Sequence, residues 1–145
     1  MSGANLHTKR WNDPKNPTDG FRILITRYRP RGLPKSEETW DAWMKELAPS
    51  AELLAGYQGK SRTAKLTWEG YRAAYLREMR GSEASQERIG ELARRVADGE
   101  AITLLCSSAC VREARCHRSL LRDLILARGP GPPDRRSSPR PPPLR

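Results

Sequence analysis

Phenylalanine occurs once, histidine twice and cysteine three times in the 145 residues, and 17 acidic side chains face 27 basic ones. Three cysteines are too few for a disulfide framework, and an odd number of them suits reduced thiols in a cytoplasmic protein. No apolar run approaches the ~18 residues that a membrane span needs, so no membrane partner is expected. Met1 to Lys9 lacks the apolar stretch of a secretory signal. No collagen-like triplet and no internal repeat is present. These absences exclude membrane proteins, collagens and disulfide miniproteins. The length suits one domain, which at this size buries roughly two-thirds of its unfolded surface.

Basic charge is what the chain has in excess. The formal net charge is +10. Residues 129–145 hold four arginines, one aspartate and seven prolines, which leaves +7 on the rest. The tail cannot bury a core and is expected to be disordered or polyproline-like. Residues 1–128 are read as a single domain. A basic body favours an anionic partner, a nucleic acid or a phosphorylated small molecule. An arginine-rich surface without a partner is the alternative.

Periodicity gives the elements. Ile23-Leu24-Ile25, after Gly20, suits a strand buried on both faces, and so does Ala101-Ile102-Thr103-Leu104-Leu105. Leu6 to Trp11 offers a third strand. Ser36 caps a predicted helix whose apolar face is Trp40, Trp43, Met44 and Leu47, ended by Pro49. Thr67 caps a second, with Trp68, Tyr71, Tyr75 and Met79 on one face and Gly81 as its stop. A third spans Ser85 to Asp98, with Ile89, Leu92, Ala93 and Val96 inward. A last helix carries Leu120, Leu121, Leu124 and Ile125. The order implies an α/β fold: a small three-layer structure with a short parallel sheet and about five helices.

Ligands of open α/β sheets sit beyond the carboxyl ends of the strands. The first buried strand runs into Arg27-Tyr28-Arg29-Pro30-Arg31-Gly32, and the second into Cys106-Ser107-Ser108-Ala109-Cys110. Cys116-His117-Arg118 opens the last helix. Adjacent parallel strands would bring these segments to one cleft, where Arg27, Arg31 and Arg118 near a helix N-terminus favour a phosphate or carboxylate. The alternative is solvated loop charge, and Arg29 could face the other way.

Cys106 beside cationic groups would be a reactive thiol; alone, it reads rather as a small apolar residue closing a strand. The spacing Cys106-x5-Arg112 matches a phosphatase loop, but the intervening residues hold no glycine. Cys106, Cys110, Cys116 and His117 lack paired zinc knuckles, and adjacent Cys116 and His117 are expected to splay apart on a helix, so no metal site is assigned. His117 suits acid–base work or a helix-terminal hydrogen bond. The tryptophans and tyrosines at helical spacing read as core, whereas Tyr28, between arginines, could stack on a base.

The chain resembles the YeaO-like family, domain of unknown function 488. The matching segments are Lys9 to Pro14, Asp19 to Leu24, Arg27 to Lys35, Trp43 to Ser50, Trp68 to Tyr75, Ile102 to Cys106 and Cys116 to Arg118. The resemblance covers about residues 6–127. Where the family typically reads Asp-Arg-x-Trp-Pro-Arg-Gly, this chain has Thr26 for the acid and Arg29 for the tryptophan. An acidic segment usual before Cys-His-Arg is replaced by Ser107 to Arg115, with Arg112 and Arg115 beside the single acid Glu113. The resemblance implies a compact α/β fold and a cytoplasmic protein, and no established activity.

Two functions are therefore expected. One is a binding module for a phosphate-bearing ligand, nucleic acid included, held by Arg27, Arg31, Lys35 and Arg118. The other is a thiol-dependent enzyme using Cys106 or Cys116 with His117. A scaffold whose tail recruits a partner is a third. No pattern specifies a cofactor or an oligomeric state.

Overall fold

The computed structural model describes residues 5–59, 65–107 and 115–129. Strand β1 is Leu6–Arg10, β2 Phe21–Leu24 and β3 Ala42–Trp43. Helices α1 (Ala51–Gln58), α2 (Trp68–Gly81) and α3 (Glu83–Ala97) follow, then β4 (Ile102–Cys106) and α4 (His117–Arg128). The strands form one sheet in the order β1-β4-β2-β3, parallel at every pairing. The fold is thus α/β, as expected, and the strand expected at Leu6 to Trp11 is β1.

β4 is central and buried along its whole length, which its unbroken apolar run dictates. Its register sets the two faces. Leu104 lies beside Ile23 and Thr8, and Cys106 beside Arg10. Ile23, Ile25, Ile102 and Leu104 share a core with Tyr75 of α2, Leu92 of α3 and Leu121 of α4, so the helices cover that face. The opposite face carries Arg22 and Thr103. It is roofed by irregular segments: Thr103 Oγ1 donates to the Asp19 carbonyl, and Arg22 Nε to that of Thr39. The third layer is therefore loop. Four α-helices occur among the described residues, where about five were expected.

The predicted helix from Ser36 through Leu47 does not form. A 3-10 turn at Lys35–Glu37, strand β3 and a 3-10 turn at Lys45–Leu47 take its place. The amides of Asp41 and Met44 donate to Arg22 and Leu24 of β2, and Trp43 Nε1 donates to the Thr26 carbonyl. Pairing with an open sheet edge outweighs a helical spacing built on two tryptophans of indifferent helix propensity. The pattern had also hidden α1, which has only eight residues, capped by Ser50 at the Leu53 amide. The helices predicted from Thr67, Ser85 and Leu120 are α2, α3 and α4, with Ser82 starting α3 two residues early.

Gly20 lets β2 begin where it does. Its φ is +66°, and a Cβ there would lie 2.1 Å from the Ala101 carbonyl oxygen. The tail that was expected to be disordered lies, beyond Gly129, outside the described residues. No helix among the described residues is long and apolar enough to cross a membrane.

Candidate functional site

All strands run the same way, so the loops after β2 and β4 leave one edge of the sheet. Beyond β2, Ile25 stays paired to the β4 side, its amide donating to the Leu105 carbonyl. The Ile25 carbonyl in turn faces His117 Nε2 at 2.9 Å. A carbonyl only accepts, so Nε2 carries hydrogen and Nδ1 is left toward Cys106 Sγ, 3.8 Å away. Tyr75 meets the imidazole edge-on at 5.5 Å.

Cys106 is a buried, free thiol. Burial opposes its thiolate, but the charge and hydrogen bond of His117, the Ser107 amide and Arg118 together hold the thiol below its usual range. Burial likewise opposes the imidazolium, yet Cys106 and the Ile25 carbonyl raise His117 above its ordinary value. Both shifts run toward a thiolate–imidazolium pair. The N-terminus of α4 adds positive potential beside the sulfur.

Cys116 does not splay away from His117. It is the N-cap of α4, with extended backbone at φ −136° and ψ 146°, so helical spacing does not govern its side chain. Its sulfur lies 3.2 Å from Cys106 Sγ and 4.0 Å from His117 Nδ1. The donor atoms of Cys106, Cys116 and His117 all fall within 4.8 Å of one another. A tetrahedral zinc with bonds of about 2.3 Å would hold two sulfurs roughly 3.8 Å apart. The sulfurs are closer than that, and Cys116 is held in a disulfide, so it is neither the reduced thiol expected from the sequence nor a thiolate donor or nucleophile, and the trio does not fit a zinc ion. Cys110 and Arg112 lie outside the described residues.

Cys106 and His117 border a cleft of about 830 Å³. Among the described residues, Arg27, Arg31, Lys65 and Arg115 line it, and no aspartate or glutamate does. None of these four cations joins an ion pair among the described residues. Arg27 is braced by backbone, Nε donating to the Pro49 carbonyl at 2.9 Å. That carbonyl is itself fixed, because Tyr75 Oη donates to Leu47 and both the Ser50 amide and hydroxyl donate to Glu78. Trp11, Tyr28, Tyr57 and Tyr71 supply aromatic wall.

The sequence-predicted residues separate into two groups. Arg27, Arg31, Cys106, Cys116 and His117 come together in the cleft. Lys35 lies in an exposed turn and is not part of its wall, and Arg29 pairs with Glu38 at 2.9 Å. Arg118 is buried, near enough to act on Cys106, His117 and Asp13 but not in the wall. Lys65 and Tyr57 escaped the sequence reading, having no pattern to mark them, and Arg115 was noted only as a basic residue of the segment before Cys-His-Arg. Tyr71 was assigned to core by its helical spacing. It is 2% exposed and yet borders the cleft.

A family model described as "Active DUF488-N3 subclade" matches residues 6–129. The chain belongs to the DUF488-N3 family. The uncharacterised protein YeaO of Escherichia coli K12 is 34% identical over 104 residues, covering 72% of this chain and 84% of its own. The uncharacterised Rv3073c of Mycobacterium tuberculosis H37Rv is 28% identical over 113 residues, covering 78% and 86%. No solved structure matches this DUF488-N3 chain.

Proposed function

We propose that the cleft binds a phosphate-bearing anion, nucleic acid being one ligand of that class. The observation that carries this reading is that, among the described residues, four cationic side chains and no carboxylate line one hollow. Such a hollow focuses positive potential, and guanidinium forks suit phosphate oxygens. Arg27 is held by carbonyl groups rather than by an acid, so its charge stays available. Titrating the protein with a fluorescein-labelled oligothymidylate in rising salt tests the proposal. Binding should weaken steeply with salt and fall about tenfold for Arg31→Ala, an exposed residue whose loss leaves the fold intact. Binding that is absent, or indifferent to salt, removes the nucleic-acid form, and failure of inorganic phosphate to compete removes the phosphate reading itself.

The Cys106–His117 contact favours a second reading, a thiol-dependent enzyme. Cys106 would be the nucleophile toward an electrophilic centre of the bound anion, with His117 accepting the thiol proton and returning it to the leaving group. The family model's description of its subclade as active accords with a site that does chemistry. The measurement is the rate of Cys106 alkylation by iodoacetamide against pH, followed by peptide mass spectrometry. The inflection should lie below that of an ordinary thiol and rise in His117→Asn. An unshifted inflection in both proteins ends this reading.

A further inference from the structure

The cleft holds more than cations, and the rest of its wall narrows what the anion is. Tyr28 is the one large hydrophobic side chain exposed among the described residues, at 61%. Its backbone is nevertheless fixed, because Thr26 Oγ1 donates to the Tyr28 carbonyl at 2.7 Å. An aromatic ring is thus offered to solvent on a held loop, with Arg27 and Arg31 on the same cleft wall. Elsewhere on the wall Tyr57 stacks on Tyr71, with ring centres 4.2 Å apart and planes at 20°. A bare phosphate or a sugar phosphate would leave these rings unused.

We infer that the cleft takes a single unpaired nucleotide unit, its phosphate among Arg27, Arg31, Lys65 and Arg115 and its base stacked on Tyr28. The inference rests on the phosphate-binding reading and specifies its ligand. Base–aromatic stacking beside a cationic track is how single strands are held, and it tolerates any base because each has a π-face. The size agrees: about 830 Å³ lies within the range of clefts that engulf one small organic ligand. A base still paired in a duplex could not descend to the buried sulfur of Cys106, whereas an unpaired or extruded one could. No acid among the described wall residues repels a phosphate there.

The test is a competition on the full chain against a labelled octathymidylate, followed by fluorescence anisotropy. Competitors are thymidine monophosphate, ribose 5-phosphate, inorganic phosphate, a phosphotyrosine peptide and a blunt duplex of the same length. Thymidine monophosphate should compete at least tenfold better than ribose 5-phosphate, and the duplex at least tenfold less well than the unlabelled single strand. Tyr28→Ala should lose about tenfold in affinity, a change that Tyr28→Phe should not reproduce. Monophosphate binding as tight as the octamer's assigns the site to a free nucleotide, and a much tighter octamer assigns it to a strand. Equal competition by ribose 5-phosphate and thymidine monophosphate overturns the inference while leaving phosphate binding in place. A duplex or phosphotyrosine peptide that binds best also overturns it. Failure of every competitor and of the strand overturns both.

Discussion

At the scale of single residues, Asp19 is a buried acid that ties two cations to the sheet. It is 2% exposed, receives Lys9 Nζ at 2.8 Å and pairs with the wholly buried Arg22. Burial alone would raise its pKa. The hydrogen bonds from Lys9 and the Asn16 amide, with the charges of Lys9 and Arg22, bring it below 3.8. Its stabilisation is therefore complete above the unfolded-state value and disappears as pH falls through the lower folded one. Asp19→Asn should cost about 3 kcal/mol at pH 7, since it leaves two cations without their counter-charge. The deficit relative to wild type should shrink as pH falls below 3.8 and vanish only below the lowered folded-state value, where both proteins are neutral at this position. Urea unfolding at pH 7 and at pH 3 measures both; equal midpoints at pH 7 would contradict the assignment. None of this was visible in the sequence, where Asp19 stands as one acid in a loop. Cys106 and His117, by contrast, were legible, because a thiol at a buried strand's end and a histidine at a helix start occupy positions that topology forces together.

At the scale of elements, close backbone packing sets where β2 begins. Gly20→Ala must either displace the Ala101 carbonyl or abandon the positive φ, and should destabilise by about 2 kcal/mol or more. Gly32, also at positive φ but with open space at its Cβ position, should lose less in the same thermal melt. Equal losses would show that conformation, and not proximity to Ala101, governs Gly20. The elements with long, regular apolar faces were legible from their spacing: α2, α3, α4 and the two buried strands. The segment from Ser36 to Leu47 was not. Its spacing is helical, but the bare edge of β2 claims its amides. That competition is decided by a partner distant in sequence, which no local pattern records. The same holds for Lys65 and Arg115, whose place in the cleft wall follows from how α2 and α4 dock.

At the scale of the molecule, net charge indicated the kind of partner to consider but not which cations would matter. Among the described residues, four cations line the cleft without a carboxylate. If these four engage a single strand, the logarithm of the binding constant should fall with the logarithm of salt concentration at a slope of about −3. A slope near −1 would mean that most of them stand clear of the strand. The family match ends at residue 129, and the described core ends with α4. A chain stopped after Gly129 should therefore melt within a degree or two of the full protein, and a large drop would give the remaining residues a structural task.

A parallel sheet with its central strand last in sequence has a consequence for how such proteins diversify. Framework and recognition are physically separated: β4 and the helical core fix where the sulfur and the imidazole meet, while Thr26 to Gly32 fixes what is offered above them. Exchanging that seven-residue loop for a relative's should redirect selectivity with little penalty in stability, so members of one lineage can serve different molecules on an unchanged chassis.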